Sequence, residues 1–175
     1  MFLRIIPFGE INEELLSEIE KSIKNNFKLI LDVLESRNYP SDSYNSIRRQ
    51  YNAAKLLFWL KNKFTGKVLA IADSDLYDGD LNFVFGEAEL NGNVAIVSVA
   101  RLNPTFYGKG ENFELWKKRV IKEVLHELGH MFGLKHCDSY RCVMNFSNTV
   151  IDVDKKSREF CEKCKKQLKE KGVLF

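Results

Sequence analysis

The chain is organised around residues 126–136, which read His126-Glu127-Leu128-Gly129-His130-Met131-Phe132-Gly133-Leu134-Lys135-His136. An α-helix repeats about every 3.6 residues, so side chains four positions apart stack on one face. His126 and His130 can therefore offer two imidazoles to a single ion. Glu127 lies about 100° further round the helix, at the edge of that face, where its carboxylate can reach a metal-bound water without acting as a ligand.

Gly133 marks the place where this helix must end, shortly after His130. Glycine adopts a positive φ without a side-chain clash, so the chain can turn sharply there. The turn would bring His136 back as a third nitrogen ligand and leave the fourth tetrahedral position to water, which is how catalytic zinc is held. The chain has three histidines, and all of them lie in this motif. A helix with histidines hydrogen-bonded in the core is the alternative, but the flanking apolar residues already provide its packing surface.

Length and composition indicate an ordinary soluble globular protein. The chain has 175 residues, of which 45% are hydrophobic and 29% charged, and we expect one domain over residues 1–175 with a sizeable core. The net charge of +3 and the pI of about 8.6 are too mild to indicate nucleic acid or a membrane as the main partner. No apolar run in the sequence approaches the roughly 18 residues of a membrane-spanning helix.

The first residues, 1–8, are apolar but lead into an acidic stretch without a small-residue cleavage site. We therefore expect no signal peptide and no inhibitory pro-segment. The expected location is cytoplasmic, a reducing compartment that favours cysteine thiolates as metal ligands over disulfides. No pattern encodes the oligomeric state, and a monomer is the simplest expectation.

Hydrophobic periodicity and turn residues divide the chain into strands and helices. Strands are predicted at 2–8, 27–34, 68–72, 82–86 and 93–101, and helices at 12–25, 47–63, 112–132 and 155–171. A continuing helix is the alternative for 27–34. The alternation predicts an α/β (α+β) fold with a mixed, mainly parallel sheet of five strands and helices packed on it. We expect a sheet-and-helix part at 1–133 and a small irregular module at 134–175.

The four cysteines of the chain all follow the histidines, at Cys137, Cys142, Cys161 and Cys164. A C-x4-C pair followed by a C-x2-C pair fits the two-hairpin arrangement of a closed four-thiolate zinc site. Such a site would stabilise a C-terminal module that is too small to be held by apolar burial alone. Two disulfides or a redox C-x-x-C motif are the alternatives. Because Cys137 directly follows His136, we expect the geometry of the two metal sites to be coupled.

The pattern H-E-x-x-H-x-x-G-x-x-H-C-x4-C-x-M, continuing to C-x-x-C, resembles the archaemetzincins, a family in the metzincin clan of zinc metallopeptidases. The specific matches run from His126 to Cys164. The resemblance implies that the catalytic zinc is bound by His126, His130 and His136 and that Glu127 is the general base. It also implies that a structural zinc is bound by Cys137, Cys142, Cys161 and Cys164. It also implies that Met144 forms a hydrophobic floor, the Met-turn, under the catalytic zinc. The family fold has a twisted sheet above the active-site helix, with an antiparallel edge strand that would fall near 82–87.

Two features depart from other members of the clan. Some metzincins place a tyrosine two residues after the methionine as an extra zinc ligand, whereas Phe146 stands there in this chain. A pro-segment cysteine of the kind that blocks secreted relatives is missing from the sequence. We therefore expect neither a tyrosine-assisted transition state nor regulation by activation cleavage.

The expected function is hydrolysis of peptide bonds in a peptide or protein substrate, with Glu127 taking a proton from zinc-activated water. An aminopeptidase is one alternative, and it needs a carboxylate for the substrate's α-amine, for which Glu87, Glu89 and Asp138 are candidates. A non-hydrolytic zinc scaffold that binds peptides by strand pairing is another, although a scaffold has no need of Glu127. A nucleic-acid-binding zinc module would use the basic residues in 155–171. That stretch is more simply a solvated helix face, and we expect no nucleic-acid or membrane partner.

Overall fold

A computed structural model describes residues 1–174 of the chain. Over these residues it has eight strands, namely β1 (Phe2–Phe8), β2 (Ile30–Val33), β3 (Tyr44–Asn45), β4 (Gln50–Asn52), β5 (Lys67–Ala72), β6 (Leu76–Tyr77), β7 (Gly86–Ala88) and β8 (Val94–Ser98). The α-helices in the same range are α1 (Glu13–Asn26), α2 (Ala53–Lys63), α3 (Phe113–Met131), α4 (Val150–Lys155) and α5 (Glu162–Glu170). No helix within residues 1–174 is long and apolar enough to cross a lipid bilayer.

Five of the strands in the described range form one sheet, in the order β2-β1-β5-β8-β7. Neighbours are parallel from β2 through β8, and β7 runs antiparallel to β8 at the edge. In that edge register Gly86 pairs with Val97 and Ala88 pairs with Ala95. Strands β3, β4 and β6 form a separate small sheet. The arrangement confirms the predicted mixed, mainly parallel sheet of five strands.

Helices cover both faces of the large sheet, as expected where most strands are parallel. Alternate residues of β5 point to opposite faces. Leu69 and Ile71 pack in the cluster that includes α1 and α3, whereas Val68 and Ala70 pack with α2. Helix α3, which carries the histidine motif, contacts β7 and β8. The fold therefore sets the motif directly below the antiparallel edge of the sheet.

Two helices begin where capping side chains start them. Asn12 Oδ1 accepts the N–H of Leu15 at 2.9 Å, and Asn112 Oδ1 accepts the N–H of Leu115 at 3.1 Å. Each cap satisfies a free N–H of the first helical turn. The predicted helices at 12–25 and 112–132 are confirmed as α1 and α3. Residues 27–34 contain strand β2, so the alternative of a continuing helix is wrong.

Three predicted elements differ substantially from the observed ones. The helix predicted at 47–63 begins at Ala53, because Asn52 caps it by accepting the N–H of Lys55 at 2.9 Å. Before it, Arg49 takes a left-handed φ of 56° in the β3–β4 turn, which a helix cannot include.

The edge strand predicted at 82–86 is β7 at Gly86–Ala88. The preceding residues are held away from the sheet, since the carbonyl of Asn82 accepts from Gln50 Nε2 at 2.8 Å. The terminal helix predicted at 155–171 is instead two helices, α4 and α5. The chain leaves helical conformation at Lys156 and turns so that Cys161 reaches the other cysteines.

Candidate active site

Helix α3 presents His126 and His130 to a cleft beneath strand β7. Their Nε2 atoms lie 3.1 Å apart. The chain turns at Gly133, with φ 93°, and brings back His136, so that the three rings each offer a nitrogen within 4.8 Å of the others. Three nitrogens placed about 2.0–2.1 Å from a tetrahedral zinc would lie about 3.3 Å apart. The spacing of the three predicted histidines therefore suits one metal ion.

The remaining ring nitrogen of each helical histidine is fixed by the main chain. Nδ1 lies 2.8 Å from the carbonyl of Val143 for His126 and 2.7 Å from the carbonyl of Leu134 for His130. A carbonyl only accepts, so each Nδ1 carries the hydrogen and each Nε2 keeps its lone pair for a metal. Burial lowers the pKa of both rings, and for His126 the nearby ammonium of Lys156 lowers the pKa further. Both effects favour the neutral imidazole that metals bind.

Glu127 lies buried at the floor of the cleft, which encloses about 610 Å³. Gly86 of the edge strand makes room for it, since a Cβ at Gly86 would lie 2.9 Å from Glu127 Cγ and 2.6 Å from the carbonyl oxygen of Ile96. Burial, followed by the nearby carboxylates of Glu123 and Glu87, raises the pKa of Glu127. A carboxylate with a raised pKa takes up a proton more readily, as a general base must. The sequence did not single out Gly86.

Met144 is fully buried and packs against α3 at Gly129. A Cβ at Gly129 would lie 2.3 Å from the Met144 sulfur and 3.0 Å from its methyl carbon. The glycine at this point of the motif therefore allows the methionine to approach the helix. The ring of Phe146, at the position where some metzincins have a tyrosine, packs on His136 with 5.1 Å between ring centroids.

The four cysteines form a second cluster next to the histidines. The sulfur atoms of Cys137 and Cys161 are 3.7 Å apart, those of Cys142 and Cys164 are 3.8 Å apart, and all four lie within 4.8 Å of one another. Four sulfurs placed about 2.3 Å from a tetrahedral zinc would lie about 3.8 Å apart. All four cysteines are free, so the predicted four-thiolate arrangement fits and the two-disulfide alternative does not.

Two buried charged residues beside the site were not anticipated from the sequence. Glu123 lines the cleft and Lys156 lies behind it, with 3.0 Å between Lys156 Nζ and Glu123 Oε1. Glu123 is four residues before Glu127, so helical spacing could have found it. Lys156 belongs to the lysine-rich stretch that was interpreted as a solvated helix face. That interpretation was wrong for Lys156, and no sequence signal distinguishes it from its exposed neighbours.

The three carboxylates proposed for binding an α-amine are placed differently. Glu87 lines the cleft, whereas Glu89 and Asp138 do not. Glu89 forms an ion pair with Lys61 at 2.5 Å. Burial, with a hydrogen bond to Asp78 as the second cause, raises the pKa of Glu87 to about 8.

The chain matches the family model described as Peptidase family M54 over residues 8–170. The archaemetzincin of Methanocaldococcus jannaschii is 42% identical over 177 residues, which cover 100% of this chain and 98% of that protein. The archaemetzincin of Archaeoglobus fulgidus, solved in complex with malonate, superposes with a TM-score of 0.85 at 39% identity and covers 95% of this chain and 99% of its own. A zinc-dependent peptidase from Methanocorpusculum labreanum superposes with a TM-score of 0.80 at 28% identity, and the match covers 95% of this chain and 99% of that one.

The relatives match over nearly the whole chain, and the two clusters described above fit a catalytic and a structural zinc ion. A peptidase implies a peptide or protein as the substrate. The chain belongs to the archaemetzincins, Peptidase family M54, and is a zinc metallopeptidase.

Proposed function

We propose that this chain hydrolyses peptide bonds with a water molecule that Glu127 deprotonates, beside a zinc ion held by His126, His130 and His136. The observation that carries the proposal is the convergence of three imidazole nitrogens on one cleft with a buried carboxylate on the next residue of the helix. We also assign a structural zinc to the four cysteines, Cys137, Cys142, Cys161 and Cys164.

The donor chemistry supports zinc at both sites. Three neutral imidazoles with an open fourth position are typical of catalytic zinc, and four thiolates are typical of structural zinc. When bound to the histidines, zinc polarises the scissile carbonyl and lowers the pKa of water.

Glu127 supplies the proton transfers in this proposal. Its carboxylate accepts a proton from the attacking water while the water oxygen bonds to the carbonyl carbon. Glu127 then donates that proton to the amide nitrogen as the C–N bond breaks, so the amine leaves neutral and the carboxylate is restored. The position of Glu127 next to Gly86 places this carboxylate between the helix and the edge strand.

Strand β7 is the element that we expect to align the substrate. It pairs with β8 along one edge, and it forms the end of the five-stranded sheet in the described part of the chain. An extended peptide can add to such an edge through main-chain hydrogen bonds. We expect a main-chain N–H of β7 to stabilise the developing negative charge on the carbonyl oxygen.

One observation favours exopeptidase action as a second candidate. Glu87 is the one of the three proposed carboxylates that lines the cleft, and a carboxylate there could bind the α-amine of a substrate. An aminopeptidase would cleave free peptides and leave N-acetylated copies intact. Cleavage of both forms would assign endopeptidase action.

The test compares wild type with Glu127→Gln, which keeps the size of the side chain and removes the base. The control is Glu114→Gln on the same helix, whose side chain is 68% exposed. Each protein is assayed for zinc content by elemental analysis and for cleavage of a peptide library by mass spectrometry.

We expect both variants to bind as much zinc as wild type. Glu127→Gln should lose about 10²–10⁴-fold in kcat, and Glu114→Gln should retain its activity. Turnover at the wild-type rate by Glu127→Gln would contradict the mechanism. If zinc-loaded wild type cleaved no member of the library, a zinc-stabilised peptide-binding scaffold would be favoured instead.

A further inference from the structure

Lys156 is a cation buried beneath the active-site cleft. The residue is 2% exposed, and its Nζ lies 3.0 Å from Oε1 of Glu123, which is 3% exposed. Nζ also donates to the main-chain oxygen of Asn145 at 3.1 Å and lies 3.4 Å from Nδ1 of His126. The ammonium therefore joins helix α3 to the turn that carries Met144.

Helix α4 is attached to α3 by contacts other than this ammonium. Arg119 of α3 binds both carboxylate oxygens of Asp154, at 2.9 and 2.8 Å. Lys122, one turn along the same helix, donates to the carbonyl of Val153 at 2.9 Å. Replacing a buried ion pair by apolar residues is often neutral or stabilising, so such a pair is weak evidence for a role in stability. Lys156 differs from Arg119 and Lys122 in that its ammonium contacts the main-chain oxygen of Asn145.

Residues 143–145 are held at three consecutive points, the first two by helix α3 and the third by Lys156, which directly follows α4. The carbonyl of Val143 accepts from Nδ1 of His126 at 2.8 Å, Met144 packs against Gly129, and the carbonyl of Asn145 accepts from Lys156. A shift of this short segment would move the acceptor that fixes the ring of His126. Of the three contacts, the one at Asn145 is made by a charged side chain, that of Lys156.

We propose that Lys156 is a positioning residue of the active site: held by Glu123, its ammonium fixes the 143–145 turn beneath α3 and thereby orients His126. The inference rests on the proposed function in taking the three histidines as the catalytic metal ligands. Partners that hold a metal-ligating histidine typically contribute about 10- to 100-fold to metal affinity or activity.

The experiment uses the full chain and the double variant Glu123→Gln/Lys156→Met. Removing Lys156 alone would leave a buried carboxylate unpaired and could prevent folding, whereas the double variant removes both charges at nearly constant volume. The matched control is Lys122→Met, which removes a lysine contact with the main chain of Val153 and Asp154. It leaves the 143–145 turn untouched. Measurements are the urea midpoint, zinc content, kcat and KM on a cleaved peptide, and the visible spectrum of the cobalt-substituted protein.

For the double variant we expect an unfolding midpoint close to wild type and full metal content at the four cysteines. The affinity of the three-histidine site for its metal and kcat should each fall about 10- to 100-fold, and KM should change by less than about twofold. The cobalt bands of the three-histidine site should shift. Lys122→Met should match wild type in the cobalt spectrum and in kcat.

A double variant with the wild-type cobalt spectrum, metal affinity and kcat would overturn the inference and leave the ion pair a purely structural role. A double variant that shifts the spectrum no more than Lys122→Met would do the same. The spectrum and the metal affinity do not depend on turnover. They therefore test Lys156 even if Glu127→Gln were to retain full activity and the proposed mechanism failed.

Discussion

Replacing Gly129 by alanine should destabilise the protein, and the sign of its effect should reverse once Met144 is shortened. The new methyl would lie 2.3 Å from the Met144 sulfur and 3.0 Å from its methyl carbon. Overpacking of this kind costs about 1–3 kcal/mol. Alanine in place of a glycine inside a helix raises the unfolding free energy by about 1 kcal/mol, because alanine has the higher helix propensity. The expected net loss of unfolding free energy in wild type is therefore about 0–2 kcal/mol.

In a Met144→Ala background both of these contacts are absent, and the tightest remaining contact of the new methyl is with Phe160 Cε1 at 3.3 Å. That substitution alone should lower the unfolding free energy by about 2–5 kcal/mol. Adding Gly129→Ala should then raise the unfolding free energy by about 1 kcal/mol, since the helix gain remains without the overpacking. The predicted coupling between the two sites is thus about 1–3 kcal/mol, a size typical of residues in contact.

The assay is urea unfolding of wild type, the two single variants and the double variant, all at one fixed concentration of free zinc because bound metal shifts stability by mass action. The same four proteins should be checked for equal zinc content. If Gly129→Ala changed stability by the same amount in both backgrounds, to within about 0.5 kcal/mol, the close approach of Met144 would not be the reason for a glycine at this position.

Three further perturbations have defined outcomes. Gly86→Ala should push the Glu127 carboxylate out of place, so kcat should fall more than KM changes, and peptide-cleavage kinetics would show it. Cys142→Ser should reduce the zinc content by one equivalent, as measured by elemental analysis, and lower the urea midpoint. The pKa of Glu87 is raised to about 8 by burial and then by Asp78, so the folded state binds more protons than the unfolded state between its ordinary pKa and about 8. Stability should therefore fall as the pH rises through that window, and Glu87→Gln should remove this part of the pH dependence of the urea midpoint.

The parts of the fold that the sequence predicts well are those set by local chemistry. Asn12 and Asn112 start helices because their side chains cap the first turn, and the Val- and Ile-rich strand β8 is buried on both faces. The histidine spacing fixed which nitrogens could converge, because that depends only on helix geometry and on the turn at Gly133. These features need no information about distant residues.

The features that were missed depend on contacts between distant parts of the chain. Residues 47–52 have the composition of a helix, but Tyr51 pairs with Leu76 in the small sheet. The edge strand begins later than predicted because Gln50 holds Asn82 outside the sheet. Lys156 resembles any solvated lysine until the fold sets it beside Glu123. In each case a tertiary contact overrides a local preference.

The turn at residues 143–145 links the two metal clusters. Cys142 directly precedes it, and Cys137 donates its N–H to the carbonyl of Met144 at 3.0 Å. The side chain of Asn145 donates to the carbonyl of Cys137 at 2.8 Å. The turn is therefore held from one side by the cysteine cluster and from the other by Lys156.

Where a metal at one site changes the affinity of another site, the effect is reciprocal, since a coupling free energy belongs to the pair. A metal at the cysteines that orders this turn would raise the affinity of the histidines for their metal, and a metal at the histidines would raise the affinity of the cysteines by the same factor. Because Cys137 directly follows His136 in the chain, we expect the two sites to be coupled in this way. We therefore expect a metal at the four cysteines to affect catalysis without any contact with the substrate.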